Sequence, residues 1–367
     1  MMIRAIATII VCLAPLVGVA QTMKTSAGSV GVTKVAGNLR DPWAVAILPN
    51  GSFLVTEKRG ALYLFIKDGQ RRCVSGVPEV VDSGQGGLLD VVAARDFATT
   101  GTIFITYSKR QSSGVGTALA SAVLETDTAR LRTVTPLFEM QNGTQGGRYF
   151  GSRVVEGRDG FLYVTVGERG DRPSAQDLSR HSGSVIRVAR DEGVPSSNPF
   201  VSTANAQPEI WSYGHRNPQG AALDAAGQLW VAEHGAKGGD EVNRVKKGAN
   251  YGWHVISYGE HYSGRKIGEG TQKSGMEQPS FYWDPFIAPS GMMIYSGKMF
   301  PEWKGDFFVG SLKFDHIARL DRSGNRFTAG EVLESRETGR VRDVREAPDG
   351  SIWFISVDRR GVFRIAR

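Results

Sequence analysis

SRVVEGRDGFLYVTVGE, residues 152–168, decides the fold. A β-rich run from Ser152 to Glu156 breaks at Gly157-Arg158-Asp159-Gly160, where Asp beside Gly is turn chemistry, and a second β-rich run, Phe161 to Val166, follows. That is a hairpin, and five relatives of it recur. They are WAVAILPNGSFLVTE (43–57), LLDVVAARDFATTGTIFITYS (88–108), GAALDAAGQLWVAEHG (220–235), GMMIYSGKMFPEWKGDFFVGSLK (291–313) and VRDVREAPDGSIWFISVD (341–358). The turns sit near positions 50, 98, 159, 226, 304 and 349, a spacing at or above that of blade repeats. Helical periodicity is scarce. A lone hairpin cannot bury both faces, whereas six of them closed radially can, leaving only short sheet edges. The sequence therefore predicts an all-β chain, a six-bladed β-propeller of four-stranded antiparallel blades, forming one domain over residues 21–367. A β-sandwich or open β-solenoid is the competing architecture, and six matched hairpins argue against it.

Composition agrees. The 46 glycines among 367 residues are dispersed in short clusters, as many tight turns require. Hydrophobic residues at 41% and charged residues at 22% are ordinary for a folded globular chain and exclude a disordered one. MMIRAIATIIVCLAPLVGVA, residues 1–20, has a basic Arg4, an apolar stretch from Ala5 to Val17 and small residues at Gly18 and Ala20, the pattern of a cleaved signal peptide. That stretch is shorter than a membrane span requires, so the expectation is a periplasmic or secreted protein without stable membrane insertion. Cleavage removes Cys12 and leaves Cys73 without a partner, a buried or half-buried filler. The net charge of +7 comes from scattered basic residues with no stripe that a phosphate backbone would need, so no nucleic-acid partner is expected. A small anionic ligand suits the same charge.

In a propeller, the residues that follow inner strands converge on one mouth. GERGDR (167–172), all glycine and charge after Val166, is such a stretch. Arg216-Asn217-Pro218-Gln219 places a guanidinium and two amides in one polar turn, suited to a planar, oxygen-rich anion; plain capping of a turn is the alternative.

At these residues the chain resembles the soluble, calcium-dependent pyrroloquinoline quinone (PQQ) sugar dehydrogenases, the aldose sugar dehydrogenases in particular. The resemblance rests on GQGGLLD (84–90), FGSR (150–153), YGHRNPQG (213–220), EHG (233–235), GGDEVN (238–243), GANYGW (248–253), SLK (311–313) and RVRDV (340–344), in family order across nearly the whole mature chain. It implies a six-bladed propeller, matching the hairpin count. It implies further that Arg216, Asn217, Gln219, Lys313, Arg340 and Arg342 contact PQQ, and that Gln85 lies near the substrate. Gly235 and Ala236 match backbone carbonyls that bind Ca²⁺, with Ala236 where proline is usual; Asp240, Glu241 and Tyr251 resemble a second, structural calcium region. Glu168 matches an acidic residue, usually Asp, beside the catalytic base.

One departure matters. The family base is a His just before the Phe-Gly-(Gly/Ser)-Arg motif; here Tyr149 stands there. A phenol titrates near ~10, so forming tyrosinate at neutral pH costs on the order of 4 kcal/mol unless neighbours such as calcium, Arg148 or Arg153 lower it, and a positioned base is worth about 10²–10⁴ in rate. Glu168 could act as base instead. His181, His215, His234, His254, His261 and His316 fall elsewhere. The expected function is oxidation of an aldose at its anomeric carbon to a lactone, with an external electron acceptor and a monomeric or homodimeric protein. Two rivals stay open: a binding propeller without turnover, kept alive by Tyr149, and a calcium-dependent propeller hydrolase such as a lactonase, which has no use for a Lys/Arg ring.

Overall fold

A computed structural model of the protein describes residues 21–67, 69–191, 193–324 and 326–367. The segment read as a signal peptide, residues 1–20, lies outside the described residues. Six antiparallel sheets form a six-bladed β-propeller. The first blade is built from Pro42–Ile47, Phe53–Glu57, Ala61–Phe65 and Arg71–Cys73, and the next four repeat that meander in chain order. In the sixth, Val341–Glu346, Ile352–Ser356 and Gly361–Ala366 are joined by two strands from the other end of the chain, Gly28–Ala36 and Gln21–Thr25. Gly28–Ala36 pairs antiparallel with Gly361–Ala366, Val32 opposite Ile365, and closes the ring. This blade has five strands where the sequence suggested four.

Each of the six hairpins read from sequence supplies the two innermost strands of one blade. Second strands such as Phe53–Glu57, Phe307–Ser311 and Ile352–Ser356 are buried along their whole length. Their near-continuous apolar character follows, because a neighbouring blade covers each face. The core is accordingly divided into interblade layers. Six apolar clusters each join two neighbouring blades, for example Trp43, Leu54 and Leu64 of the first against Leu89, Ile103 and Ile105 of the second.

Four of the hairpin turns share one device. The side chains of Asn50, Asp159, Asp224 and Asp349 each accept a backbone N–H two residues on, from Ser52, Phe161, Ala226 and Ser351. A glycine at φ between 81° and 86° completes each turn, a conformation that a side chain would strain. This is the physical content of the recurring Asp/Asn-Gly signature.

Charge fills the ring's centre. Arg153, 1% exposed, pairs with Asp90 (3.2 Å) and Asp343 (2.9 Å), and Arg345 pairs with both (2.7 and 3.0 Å). These four residues belong to three blades, and Asp343 also accepts the Val45 N–H of a fourth. Cys73 is exposed, contrary to the buried position expected, because it ends the short outermost strand of its blade. Among the described residues no helix is long and apolar enough to cross a membrane.

Candidate active site

Chain direction sends the beginnings of the first strands and the ends of the second strands to the same end of every blade. There they surround a cavity of about 550 Å³. Of the residues singled out from sequence, Gln85, Asn217, Gln219, Lys313, Arg340 and Arg342 line it. Arg342 donates to the Gln219 Oε1 at 2.9 Å, Arg340 to the Leu312 carbonyl at 2.8 Å, and the Lys313 ammonium sits 3.6 Å over the Phe286 ring. Burial, with Arg340 and Arg153 close by, pushes the Arg342 guanidinium down to about 9. Lys58, ion-paired with Asp82, is a fourth cation in the wall, and among the described residues no carboxylate lines the cavity. Such a lining calls for an anion with several oxygen groups.

Arg216, Tyr149 and Glu168 stand beside this cavity without forming its wall. Main-chain N–H of Arg216 donates to Glu233 (2.8 Å), a buried carboxylate that also binds His215 (2.8 Å) and Asn243 (2.9 Å). Held there, the Arg216 guanidinium lies between the rings of Tyr149 (4.5 Å) and Trp253 (5.2 Å). It donates to the Tyr149 hydroxyl at 2.8 Å and to the His234 carbonyl at 3.2 Å, and its buried Nε has no partner among the described residues. The cation at the Tyr149 oxygen is therefore Arg216. Neither residue expected there fills that part: Arg148 is exposed, and Arg153 is spent in the central network.

Gln85 fixes Tyr149 from the other side. Its Oε1 accepts the Tyr149 N–H at 2.6 Å, and its own N–H donates to Gly147 O at 2.7 Å. Glu168 is 1% exposed, its main-chain N–H bonded to Arg216 O at 2.9 Å, while its buried Oε2 has no partner among the described residues. Burial raises the Glu168 carboxyl above its ordinary range, against the pull of Arg216. No hydrogen bond joins its carboxylate to Tyr149 among the described residues; the Tyr149 hydroxyl meets the Arg216 guanidinium, whereas Glu168 is bonded to Arg216 through its main-chain N–H.

The residues expected around calcium divide. Gly235, Glu241 and Tyr251 border a small second cavity of about 20 Å³, together with Glu233 and His234. Burial and the neighbouring Glu233 push the Glu241 carboxyl up to about 8. Ala236 is buried beside them. Asp240 has another part. Its two oxygens accept three main-chain N–H groups, from Gly235, Ile287 and Ala288, each at 2.7 Å, so it braces the loop. The Tyr251 hydroxyl is likewise committed, to Lys246 N and Arg244 O. Among the described residues no group of three or more His, Cys, Asp or Glu side chains is placed to hold a metal.

Sequence reading missed Lys58, Trp43 and His234, all in the wall of the large cavity. Lys58 follows the second strand of its blade just as Gly167-Glu168 follow theirs, so TEKRG (56–60) carried the same signal as GERGDR.

Comparison with known proteins agrees with this geometry. Residues 39–365 match the family model described as Glucose / Sorbosone dehydrogenase. The chain is 38% identical over 356 residues to the aldose sugar dehydrogenase YliI of Escherichia coli, covering 95% of this chain and 96% of that one. The crystal structure of the soluble E. coli aldose sugar dehydrogenase in its apo form superposes with a TM-score of 0.89 at 37% identity, covering 92% of this chain and 99% of that one. A PQQ-bound aldose sugar dehydrogenase from Streptomyces coelicolor does so at 0.75 and 26%, covering 92% and 98%. With a matched model spanning all six blades and a relative of this identity along nearly its whole length, the chain belongs to the glucose/sorbosone dehydrogenase family.

Proposed function

We propose that this protein is a PQQ- and Ca²⁺-dependent dehydrogenase that oxidises an aldose at its anomeric carbon to the lactone and passes the electrons to an external acceptor. The observation that carries the reading is the cavity whose wall holds Lys313, Arg340 and Arg342 and, among the described residues, no carboxylate. When bound, PQQ supplies a tricarboxylated quinone that accepts hydride from the sugar. Lys313, Arg340 and Arg342 match its carboxylates in charge, and the Asn217 amide adds a donor from a neighbouring blade, beside Gln219, whose own N–H₂ is given to the Gly151 carbonyl and Asn217 Oδ1. Gly235 and Ala236 carbonyls, with Glu241, are the oxygen donors for Ca²⁺.

Tyr149 is assigned the proton of the C1 hydroxyl. Its oxygen is the group Arg216 holds at 2.8 Å, and that guanidinium supplies the counter-charge a tyrosinate needs. Gln85, its Oε1 taken by Tyr149 N–H, has its amide N–H₂ left to orient a sugar hydroxyl. A lactonase has no role for the cations, whereas a binding propeller without turnover keeps one supporting observation, the tyrosine at the base position.

Reconstitution decides between these readings. Purified protein with micromolar PQQ and Ca²⁺ is expected to alter the cofactor's absorption spectrum and to reduce a dye when aldoses from a panel are added. No uptake removes the dehydrogenase reading. Uptake without dye reduction leaves the binding protein.

A further inference from the structure

Arg169, the third residue of GERGDR, is 2% exposed and makes no ion pair among the described residues. Its two terminal nitrogens donate to main-chain carbonyls, those of Arg148, of Gly146 at 2.8 Å and of Val115 at 3.2 Å, while its buried Nε has no partner among the described residues. It also lies flat against the next apolar group, 3.3 Å over the Phe150 ring centroid. Gly146, Arg148 and Phe150 bracket Tyr149, which sits at φ 57°, a left-handed conformation that a bulky residue adopts only when its surroundings enforce it. On the opposite side the loop is already closed, since a Cβ on Gly84 would come within 2.2 Å of Gly147 O. The segment is therefore clasped between Gln85 and Arg169. Burial pushes the Arg169 guanidinium down to about 9, which leaves it cationic at neutral pH.

We infer that Arg169 is a positioning residue: by tying three carbonyls and the Phe150 ring to one plane, it sets the backbone kink that aims the Tyr149 hydroxyl at Arg216. Arginine suits the task because a planar fork reaches diverging acceptors while its face stacks on a ring; a lysine ammonium does neither. The inference rests on the assignment of Tyr149 to the sugar's proton, and one arm of its test does not.

The first arm uses the full chain without cofactor and measures amide hydrogen exchange in Arg169→Lys and Arg169→Met. Exchange across residues 144–150 is expected to rise at least about tenfold while Leu162–Val166 keeps its protection. Unchanged exchange in 144–150, or an equal rise over the whole third blade, overturns the inference. The second arm uses reconstituted protein. Arg169→Lys is expected to lower kcat by about 10- to 100-fold with KM and PQQ retention within about twofold, and to cost less than about twofold in a Tyr149→Phe background. An equal loss in both backgrounds means Arg169 acts on something other than Tyr149, and the inference fails. Should the unsubstituted protein oxidise no sugar, the dehydrogenase reading falls by itself and the exchange arm still decides.

Discussion

Two neighbouring side chains show how the site works at the scale of single residues. The Tyr149 oxygen meets Arg216, and Arg216 is held from behind by the buried Glu233. A phenol is a poorer base at neutral pH than an imidazole, so Tyr149→His is expected to raise aldose turnover near pH 7, while Tyr149→Phe, which removes the oxygen, lowers kcat by about 10²-fold or more. Dye-reduction rates across pH test both. Lower turnover in Tyr149→His would mean the Tyr149–Arg216 pair does something an imidazole cannot. Arg342→Gln removes a cation that faces the cavity and contacts Gln219, and is expected to weaken PQQ retention at least about tenfold, read by equilibrium dialysis. Unaltered retention would dismiss the cationic cradle. Arg216 through Gln219, Lys313, Arg340 and Arg342 were legible because their motifs are contiguous in the chain. The Arg216–Tyr149 bond was not, because its partners are 67 positions apart and only blade packing brings them together.

Among elements, the hairpin turn is the repeating unit of construction. Asp349 caps the turn of the sixth blade, accepting from Ser351 N and Oγ at 2.9 and 2.6 Å and from Arg364 at 2.8 Å. Partial burial pushes its carboxyl up, but Ser351 and Arg364 outweigh that and hold it at about 2, below the ordinary 3.8. A depressed carboxylate stabilises the fold above its unfolded value, and that contribution is lost as pH falls from about 4 through about 2. Asp349→Ala is thus expected to lower Tm by about 2 °C at pH 7 and to have little effect near pH 2, measured by calorimetry. A constant difference at both pH values would show that charge plays no part in the turn. The Asp/Asn-Gly turns were plain in the sequence since their hydrogen bonds are local. Asp240 was not: the two N–H groups it braces besides Gly235, those of Ile287 and Ala288, belong to a loop more than 40 residues away.

For the whole molecule, closure is the central fact. The ring is shut by Gly28–Ala36 against Gly361–Ala366 and knotted at its centre by Asp90, Arg153, Asp343 and Arg345. Arg153 also donates to the carbonyls of Gln219 and Arg342, joining the stability of the ring to the wall of the cavity. Asp343→Ala leaves the buried Arg153 and the half-buried Arg345 each short of a partner and is expected to cost about 3–5 kcal/mol in urea unfolding. A cost under about 1 kcal/mol would show the network to be idle. The hairpin count, the turn chemistry and the motif residues followed from sequence alone, because strand alternation, Asp/Asn-Gly turns and short motifs are encoded within a few neighbouring positions. Tertiary structure alone decided which cation meets Tyr149, that Asp240 braces a loop, and that the first strands complete the last blade. Each of these depends on groups far apart in the chain meeting only once the ring has closed, and no local pattern records such a meeting.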